Sequence, residues 1–289
     1  MFTQYPQYKL LFCFLGLICL DGFLIQLDFR TSISTLTFAM LNVGQGDGLF
    51  IKSPTGTEIL IDAGPARSIL PSLRRITSPF DRKIDALIIT NPDEDHIGGM
   101  MDILKSYKVN AVFESGTLTD SVTYWNLREE MRKQNIPDYL IKKGARLDMG
   151  GGAVIDILFP DRDVSAWATN DGSVVSRLLY RDTSVMLTGD ISSKVEKIIL
   201  SENNPAVLRS TILKVGHHGS RTSTSRSFIE TVLPLYALIS DGKDNRYGHP
   251  HQETLDTLNS FGIKIFRTDL LGNIVMVSDG QQFSFSFVK

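Results

Sequence analysis

Short apolar stretches that end in polar or glycine-rich clusters recur through most of this 289-residue chain, and they constrain its fold most strongly. The stretch IDALIIT at 84–90 is almost wholly apolar, which is typical of a strand covered on both faces. Helical patterns lie between such stretches, and no long linker or internal repeat interrupts residues 35–289. This alternation predicts one layered α/β domain over residues 35–289. Strands are predicted at 35–43, 49–53, 57–63, 84–90, 109–114, 153–159, 173–180, 184–188, 212–215, 235–240, 264–268, 273–277 and 283–288, and helices at 97–106, 124–134, 192–200, 225–232 and 252–260.

The composition and the charge exclude several classes of protein. With 42% hydrophobic and 21% charged residues, the chain is neither disordered, nor collagen-like, nor a polytopic membrane protein. Its 30 Lys and Arg against 32 Asp and Glu leave a net charge of −2, which argues against a broad basic face that coats nucleic acid. A local basic groove is compatible with this balance.

The N-terminal segment 1–34 contains the apolar run LLFCFLGLICL at 10–20 and a second apolar piece at 22–27. This segment fits a signal anchor or a signal peptide followed by a short linker; the alternative is a hydrophobic helix packed on the domain. An anchor or a signal predicts a membrane-anchored or exported protein whose main domain is extracytoplasmic. Cys13 and Cys19 both lie in the apolar run, so the rest of the chain offers no thiolate for a Cys-based zinc site.

Only five histidines occur, and they fall in three short stretches, a clustering that indicates a metal or catalytic site. The first stretch, NPDEDHIGG at 91–99, follows the predicted strand at 84–90, and α/β folds place their ligands at such strand ends. Its three carboxylates and His96 can coordinate a metal, with Asp95 and His96 around one ion. The alternative is an acidic helix N-cap, and this stretch alone does not decide between the two.

Two further clusters at strand ends favour the metal site. Asp190 follows a predicted apolar strand, and the sequence KVGHHGS at 214–220 places His217 and His218 at the end of another. Three such clusters match a dinuclear site, which needs about six protein ligands and one carboxylate that bridges two ions.

The segment GQGDG at 44–48 lacks the spacing of a dinucleotide-binding fingerprint, and a strand rather than a helix follows it. Its glycines instead predict a tight turn that lets the backbone approach the site, with Asp47 close to the metal ligands.

Five motifs occur in the order found in the metallo-β-lactamase superfamily, and the chain resembles that family over residues 36–289. The GQGD and GHHGS elements are similar to those in the hydrolase domain of the ComEC-type competence proteins, which act in DNA uptake. The resemblance implies an αβ/βα four-layer sandwich with a metal site at the edge between its two sheets, in addition to the N-terminal hydrophobic helix. The motifs are LNVGQGD at 41–47, LIDAG at 60–64, NPDEDHIGG at 91–99, TGD at 188–190 and KVGHHGS at 214–220.

The resemblance also implies the members of the metal site. Asp190 would bridge the ions, and Asp62 would accept a hydrogen bond that orients a ligand. Two divalent ions, Zn²⁺ or Mn²⁺, are expected, the second held more weakly. The implied metal ligands are Asp93, Asp95, His96, Asp190 and one or both of His217 and His218.

One position departs from the family pattern. The signature His-x-His-x-Asp-His has Asn91 and Asp93 in place of its two leading histidines. An Asn is a poorer ligand than an imidazole, which weakens the first metal position or shifts it towards Mn²⁺ or Mg²⁺. The departure also argues against β-lactam hydrolysis. The implied catalytic set is Asn91, Asp95, Asp62 and His249.

Two segments predict contacts with a phosphate. In the sequence SRTSTSR, the side chains of Ser220, Arg221 and Arg226 lead into a helix and suit a phosphate oxygen, with ordinary helix capping as the alternative. His249, in the sequence GHPH, is expected to contact the phosphate or to donate a proton, with capping again as the alternative. His251 is assigned a structural or surface role.

These residues predict a metal-dependent hydrolase of phosphoester bonds, a DNA nuclease or phosphodiesterase of the ComEC-like type. One alternative is a degenerate, non-catalytic member that binds DNA or an envelope partner; another is a hydrolase of an envelope ester. The predicted partners are DNA or another phosphoester, the membrane through the N-terminal segment, and a separate uptake channel. The sequence predicts no oligomeric state.

Overall fold

A computed structural model of the protein describes residues 34–289, of which Thr35–Lys289 form one compact unit. The predicted N-terminal anchor or signal, with its hydrophobic helix, falls on residues that lie outside the described part of the chain. Within residues 34–289, no helix combines the length and the hydropathy that a membrane span requires.

The strands of the described chain are short and number seventeen. They are β1 Leu36–Met40, β2 Leu49–Lys52, β3 Glu58–Ile61, β4 Lys83–Ile84, β5 Ala86–Ile89, β6 Lys108–Val109, β7 Val112–Glu114, β8 Asp138–Leu140, β9 Arg146–Gly150, β10 Ala153–Phe159, β11 Val175–Tyr180, β12 Thr183–Leu187, β13 Ile212–Lys214, β14 Tyr236–Ile239, β15 Lys264–Arg267, β16 Asn273–Ser278 and β17 Phe283–Val288.

Nine α-helices connect these strands within residues 34–289, and two short 3₁₀ segments, Asn170–Gly172 and Gly216–Gly219, lie in loops. The helices are α1 Ile69–Arg74, α2 Glu94–Ile97, α3 Met100–Ser106, α4 Val122–Lys133, α5 Ser193–Glu202, α6 Pro205–Leu208, α7 Arg226–Val232, α8 Gln252–Ser260 and α9 Thr268–Leu271.

The strands form two large sheets and one small two-stranded sheet, β4–β6. The eight-stranded sheet has the order β17-β16-β1-β2-β3-β5-β7-β8, and the seven-stranded sheet has the order β15-β14-β13-β12-β11-β10-β9. In each sheet one half is antiparallel and the other half is parallel: β3, β5, β7 and β8 run parallel in the first, as do β12 to β15 in the second. Successive parallel strands place the loops at their carboxyl ends along one edge of the sheet.

Alternating side chains of each strand serve two different cores. In β1, Phe38 and Met40 join a buried cluster that contains residues from both large sheets, whereas Ala39 joins a second cluster with helices α1 to α4. The other face of the seven-stranded sheet packs on α5 to α8 in the same way. The buried clusters therefore lie in the order helices, sheet, sheet, helices.

Two predicted elements differ from the observed ones at the site. The strand predicted at 57–63 ends at Ile61, because Asp62 turns into the left-handed region with φ 56°. The helix predicted at 97–106 starts earlier, at Glu94, and is divided between α2 and α3. The break falls at Gly99, where a Cβ atom would lie 2.2 Å from the carbonyl oxygen of Ala63. Close packing of two loops therefore overrides the helical pattern.

Candidate metal centre

Three loops interlock through their backbones at one edge of the eight-stranded sheet. The N–H of Asp47 donates to the carbonyl of Asp95 at 3.1 Å, and the N–H of Ala63 donates to the carbonyl of His96 at 2.7 Å. Gly46 has φ 130°, and a Cβ atom there would lie 2.1 Å from the oxygen of Asp95. The close backbone approach predicted for the glycine-rich turn is confirmed, and it places Asp47 beside the loop that carries Asp95 and His96.

Four side chains from three loops converge on one point. His96 and Asp95 follow β5, Asp190 follows β12 and His218 follows β13. The Nε2 atoms of His96 and His218 each lie 3.1 Å from Asp190 Oδ2, and the Nε2 of His218 lies 3.2 Å from Asp95 Oδ2. One ligand atom from each of the four residues lies within 4.8 Å of the others, as coordination of a single ion requires.

The outer nitrogen of each histidine is held by an acceptor. The Nδ1 of His96 donates to Asp62 Oδ2 at 2.8 Å, and the Nδ1 of His218 donates to the carbonyl of Ser240 at 2.9 Å. Thr90 in turn donates to both carboxylate oxygens of Asp62, from its N–H at 2.8 Å and its hydroxyl at 2.5 Å. These contacts turn both Nε2 atoms towards the cluster, which is how second partners orient the histidine ligands of a metal.

The Nε2 atom of His218 indicates whether the cluster can bind a cation, because it is a buried donor or acceptor without a hydrogen-bond partner among the described residues. Two carboxylates lie close to this atom, but neither makes a hydrogen bond of acceptable geometry with it. A buried polar atom without a hydrogen bond is costly unless another ligand satisfies it. Two imidazole nitrogens and two carboxylate oxygens form a donor set that suits Zn²⁺ or Mn²⁺. The residues present therefore fit a divalent ion.

Strained backbone brings His218 into the cluster. His217 and His218 adopt left-handed conformations with φ 48° and 54°, which cost energy for non-glycine residues and occur where function requires them. The flanking Gly216 and Gly219 allow the chain to turn on both sides of this pair. The side chain of His218 thus points inward, whereas His217 lines the neighbouring cleft.

Lys214 lies directly behind the cluster and is 1% exposed. Its ammonium group contacts Asp47 Oδ2, donates to the carbonyl of Gly189 at 2.7 Å and lies 3.3 Å from Asp190 Oδ1. Three oxygen acceptors therefore match the three donors of the ammonium group. The contact leaves Asp190 Oδ2 facing the histidines.

The local charges shift the pKa values of the cluster strongly. Burial opposes the charged form of His218, but the Asp190 carboxylate outweighs it and raises the pKa of His218 to about 10. Burial also opposes the charge on His96, yet Asp190 and Asp62 raise its pKa well above the usual value. Burial alone would raise the pKa of Asp190; His218, His96 and Lys214 hold it well below its usual range. A metal ion would replace the protons that these histidines carry, since only a neutral imidazole binds a metal.

A cleft of about 350 Å³ opens in front of the cluster. His249 lines it and is half-buried, and burial together with the neighbouring histidines lowers the pKa of His249 to about 4. His249 is therefore neutral at pH 7 in this arrangement. The residues that line the cleft are Gln45, Asp93, Glu94, Asp95, Asn170, Asp190, His217, His218, Tyr247 and His249.

Asn91 and Asp93 stand apart from the four converging side chains. The buried amide of Asn91 donates to Ser173 Oγ at 3.2 Å and accepts from the N–H of Asp93 at 3.0 Å. Asp93 accepts from the hydroxyl of Thr169 at 2.9 Å, and burial raises its pKa. Asn91 thus shapes the loop, whereas Asp93 faces the cleft beside the cluster.

Three of the residues predicted to bind phosphate, Ser220, Arg221 and Arg226, are not among the described residues that line the cleft, although the N–H of Ser220 donates to the carbonyl of His217 at 2.8 Å. Arg221 and Arg226 have exposed side chains that pair with Glu253 at 3.7 Å and Glu230 at 3.3 Å. Ser220 is buried, and its hydroxyl lies 2.9 Å from that of Thr222. Their role in substrate binding stays a prediction.

His251, for which a structural or surface role is predicted, packs its ring against that of His249, with the centroids 4.9 Å apart. It is the N-cap residue of α8, and its Nδ1 accepts from the N–H of Arg221 at 3.3 Å.

Several residues at the site carry no distinctive sequence pattern. Lys214 belongs to the KVGHHGS motif, but it is the last residue of strand β13. A lysine at the end of a strand usually extends into solvent, so its burial was not predicted. Thr90 and Tyr247 belong to ordinary strand-end and loop segments.

A family model described as the metallo-beta-lactamase superfamily matches residues 41–240, which include the whole four-residue cluster. The chain belongs to the metallo-beta-lactamase superfamily. The mixed α/β fold with multiple sheets that the motifs predicted is thereby confirmed, and so is membership of this hydrolase superfamily.

Curated relatives confirm the predicted resemblance to competence proteins: the chain is 28% identical to Competence protein ComA of Neisseria gonorrhoeae over 248 residues, 80% of this chain and 30% of that protein. The chain is 31% identical to ComE operon protein 3 of Bacillus subtilis over 252 residues, 81% of this chain and 32% of that protein. It is 31% identical to Recombination protein 2 of Haemophilus influenzae over 272 residues, 91% of this chain and 31% of that protein. The chain therefore spans about a third of the length of these relatives.

A solved structure shares the fold at low sequence identity. Igni18, described as a metallo hydrolase from Ignicoccus hospitalis, superposes with a TM-score of 0.54 at 13% identity, covering 88% of this chain and 100% of that one. At such identity the likeness concerns the fold alone, since one fold supports many reactions.

Proposed function

We propose that this chain is a metal-dependent phosphodiesterase that hydrolyses DNA. The convergence of Asp95, His96, Asp190 and His218 at the floor of a cleft carries the proposal. DNA is proposed as the substrate because relatives of this chain are named as a competence protein and a recombination protein. The donor set of two imidazole nitrogens and two carboxylate oxygens favours Mn²⁺ or Zn²⁺ as the ion, and Asp93, which also lines the cleft, is the proposed ligand for a second, weaker one.

A divalent ion held by these four residues would lower the pKa of water and stabilise negative charge on a phosphoryl oxygen. The protein residues orient this chemistry. Asp62 and the Ser240 carbonyl hold the two imidazoles in one tautomer, and Lys214 holds Asp190 in one orientation. His249 lines the same cleft, with its ring centroid 5.5 Å from that of His217 and 6.3 Å from that of His218, and in this proposal it contacts the phosphate or the leaving oxygen.

The decisive experiment compares wild-type protein with Asp190→Ala, using bis-nitrophenyl phosphate and single-stranded DNA as substrates. We expect Mn²⁺ or Zn²⁺ to support hydrolysis, a chelator to abolish it, and Asp190→Ala to reduce it by roughly 100-fold or more, since this carboxylate contacts both histidines. Asp120→Ala, at an exposed position outside the cleft, is the matched control. Undiminished hydrolysis by Asp190→Ala would refute the proposal.

A non-catalytic, DNA-binding role is the second candidate, and Asn91 is the observation that favours it. Its amide is occupied by Ser173 and by the backbone of Asp93, where the superfamily signature has a histidine. Elemental analysis separates this role from the first: DNA binding without bound metal and without hydrolysis would support it. Activity on small envelope esters but not on DNA would instead identify the predicted envelope hydrolase.

The cellular setting is proposed from the relatives. Because they are about three times as long as the aligned region, we propose that this domain supplies the hydrolase activity of a DNA-uptake system. In this proposal residues 1–34 attach it to the membrane or export it, the domain is extracytoplasmic, and a separate protein forms the channel.

A further inference from the structure

Tyr247 stands at the rim of the cleft and is 48% exposed. Its ring stacks on that of His249, with the centroids 5.6 Å apart and the planes at 22°. His249 in turn lies against His217, with ring centroids 5.5 Å apart. A row of rings therefore runs from the solvent to the floor of the cleft, and its outer member is a large aromatic side chain that exposes about half of its surface.

The loop that carries Tyr247 is tied down by one side chain. Asn245 donates to the carbonyls of Gly242 at 2.9 Å and His249 at 2.6 Å. Its Oδ1 accepts from the N–H groups of Tyr247 at 3.2 Å and His249 at 3.0 Å. These four hydrogen bonds fix the backbone of the loop that carries the two rings, so little ordering of this backbone is needed when a ligand binds.

The cleft itself offers little attraction to a polyanion. Four of its side chains are carboxylates, Asp93, Glu94, Asp95 and Asp190, and no Lys or Arg occurs among the described residues that line it. Phosphate contacts from basic side chains usually supply most of the affinity for nucleic acid. Affinity for a nucleic acid must therefore come from the metal and from contacts with the bases.

The size of the cleft limits what can enter. At about 350 Å³ it lies at the lower end of the range for small-molecule sites, enough for one phosphate with a flanking nucleoside. An unpaired base exposes the face that stacks on an aromatic ring, whereas a paired base would bring its partner strand to the rim.

We propose that Tyr247 is a stacking site for an unpaired base next to the phosphate that is cleaved, so that single-stranded nucleic acid is the preferred substrate. The inference rests on the proposed function and names the form of the DNA that it acts on. Arg246 supports it: the guanidinium lies 4.8 Å from the centre of the Tyr247 ring and donates to the Tyr247 hydroxyl at 2.6 Å. A base can enter between the two groups when this exposed arginine rotates outward, since bases stack on guanidinium planes as well as on aromatic rings.

The test measures binding and hydrolysis separately for wild type, Tyr247→Ala and Tyr247→Phe. Binding of a fluorescein-labelled oligothymidylate is followed by anisotropy in the presence of chelator, and kcat and KM for hydrolysis are measured with the oligonucleotide in the presence of metal. Tyr139→Ala is the matched control, because Tyr139 is 52% exposed and stacks on Phe113, on the edge strand β8.

We expect Tyr247→Ala to weaken binding of the oligonucleotide between about 5-fold and 150-fold, the range for loss of one stacked base. Its KM for the oligonucleotide should rise in proportion to the loss of binding, while kcat for the oligonucleotide changes little. Tyr247→Phe and Tyr139→Ala should behave as wild type. An oligonucleotide with abasic sites should bind wild type and Tyr247→Ala equally.

Equal binding of the oligothymidylate by wild type and Tyr247→Ala would overturn the inference, as would an equal loss for the abasic oligonucleotide. A fall in kcat without a rise in KM would also overturn it, since that result indicates a disturbance of the reacting groups rather than of base binding. The binding measurement needs no metal and no hydrolysis. Failure of the stacking site is therefore distinguishable from failure of the proposed phosphodiesterase activity.

Discussion

Lys214 is buried, which is unusual for a lysine. A lysine is rarely fully buried unless it is paired. Here Asp47 and Asp190 supply two carboxylates, and they raise the pKa of Lys214 even though burial opposes its charge. The ion pair therefore ties the glycine-rich turn to the two strands that carry Asp190 and His218.

Replacing Lys214 with Met should reduce the free energy of unfolding by about 3–5 kcal/mol, because Asp47 and Asp190 would keep buried negative charges without their partner. Urea denaturation with the metal chelated measures this change. The double variant Asp47→Asn/Lys214→Met removes both members of the closest pair, and we expect it to be more stable than Lys214→Met alone. Equal stability of Lys214→Met and wild type would show that the pair contributes nothing.

At the scale of the elements, the strand ends decide where side chains meet. The loops after β12, β13 and β14 follow neighbouring parallel strands, and they carry Asp190, His218 and Ser240. Ser240 holds the outer nitrogen of His218, so the end of one strand orients a ligand on the next. Asp241 follows Ser240 in the loop after β14, and its backbone exchanges hydrogen bonds with the hydroxyl of Thr268, the first residue of α9.

Asp241 is fully buried between Arg267 at the end of β15 and Asp269 in α9. Burial, together with the charge of Asp269, raises the pKa of Asp241 to about 7, although Arg267 opposes the rise. In the folded protein this carboxyl group keeps its proton up to about pH 7, whereas in the unfolded chain it loses the proton near pH 4. Folding is therefore favoured by this group at low pH and loses that contribution as the pH rises from about 4 to 7.

We expect Asp241→Asn to remove this part of the pH dependence. Relative to wild type, the variant should gain about 1–3 kcal/mol in the free energy of unfolding between pH 5 and pH 7.5. Urea denaturation at a series of pH values, with Asp120→Asn as an exposed control, measures the difference. Parallel pH profiles for wild type and Asp241→Asn would contradict the assignment.

At the scale of the whole molecule, the candidate metal centre joins the two large sheets. Asp95 and His96 follow β5 of the eight-stranded sheet, whereas Asp190 and His218 follow β12 and β13 of the seven-stranded sheet. An ion bound by all four residues links the two halves in the folded state, and the unfolded chain has no such site. Binding of the ion is therefore coupled to stability.

Saturating Mn²⁺ or Zn²⁺ should raise the melting temperature of the wild-type protein. At a free metal concentration of about 100 times Kd the stabilisation is about 2.7 kcal/mol, which corresponds to roughly 5–10 °C for a domain of this size. Differential scanning fluorimetry with and without chelator measures the shift, and Asp190→Ala should show little of it. If neither ion changed the melting temperature of the wild-type protein, metal binding at this cluster would be excluded.

Much of the fold followed from periodicity and order. The apolar run at 84–90 contains the buried strand β5, and the five motifs identified the superfamily in which the chain belongs. What periodicity missed were breaks caused by contacts between loops, such as the interruption between α2 and α3 at Gly99. A helical pattern predicts which side chains share one face of a helix. It does not predict where a carbonyl from another part of the chain will pack against that helix.

By itself, the sequence determined the chemical types available at the site and their places at strand ends, because local patterns fix where strands stop and which polar residues follow. Only the tertiary structure decided which candidates meet. Asp95, His96, Asp190 and His218 converge, while Arg221 and Arg226 turn to the surface. The order and register of strands far apart in sequence set these distances, and so does the buried pair of Lys214 and Asp47. Spacing along the chain cannot specify them, since residues separated by more than a hundred positions become neighbours only when two sheets pack.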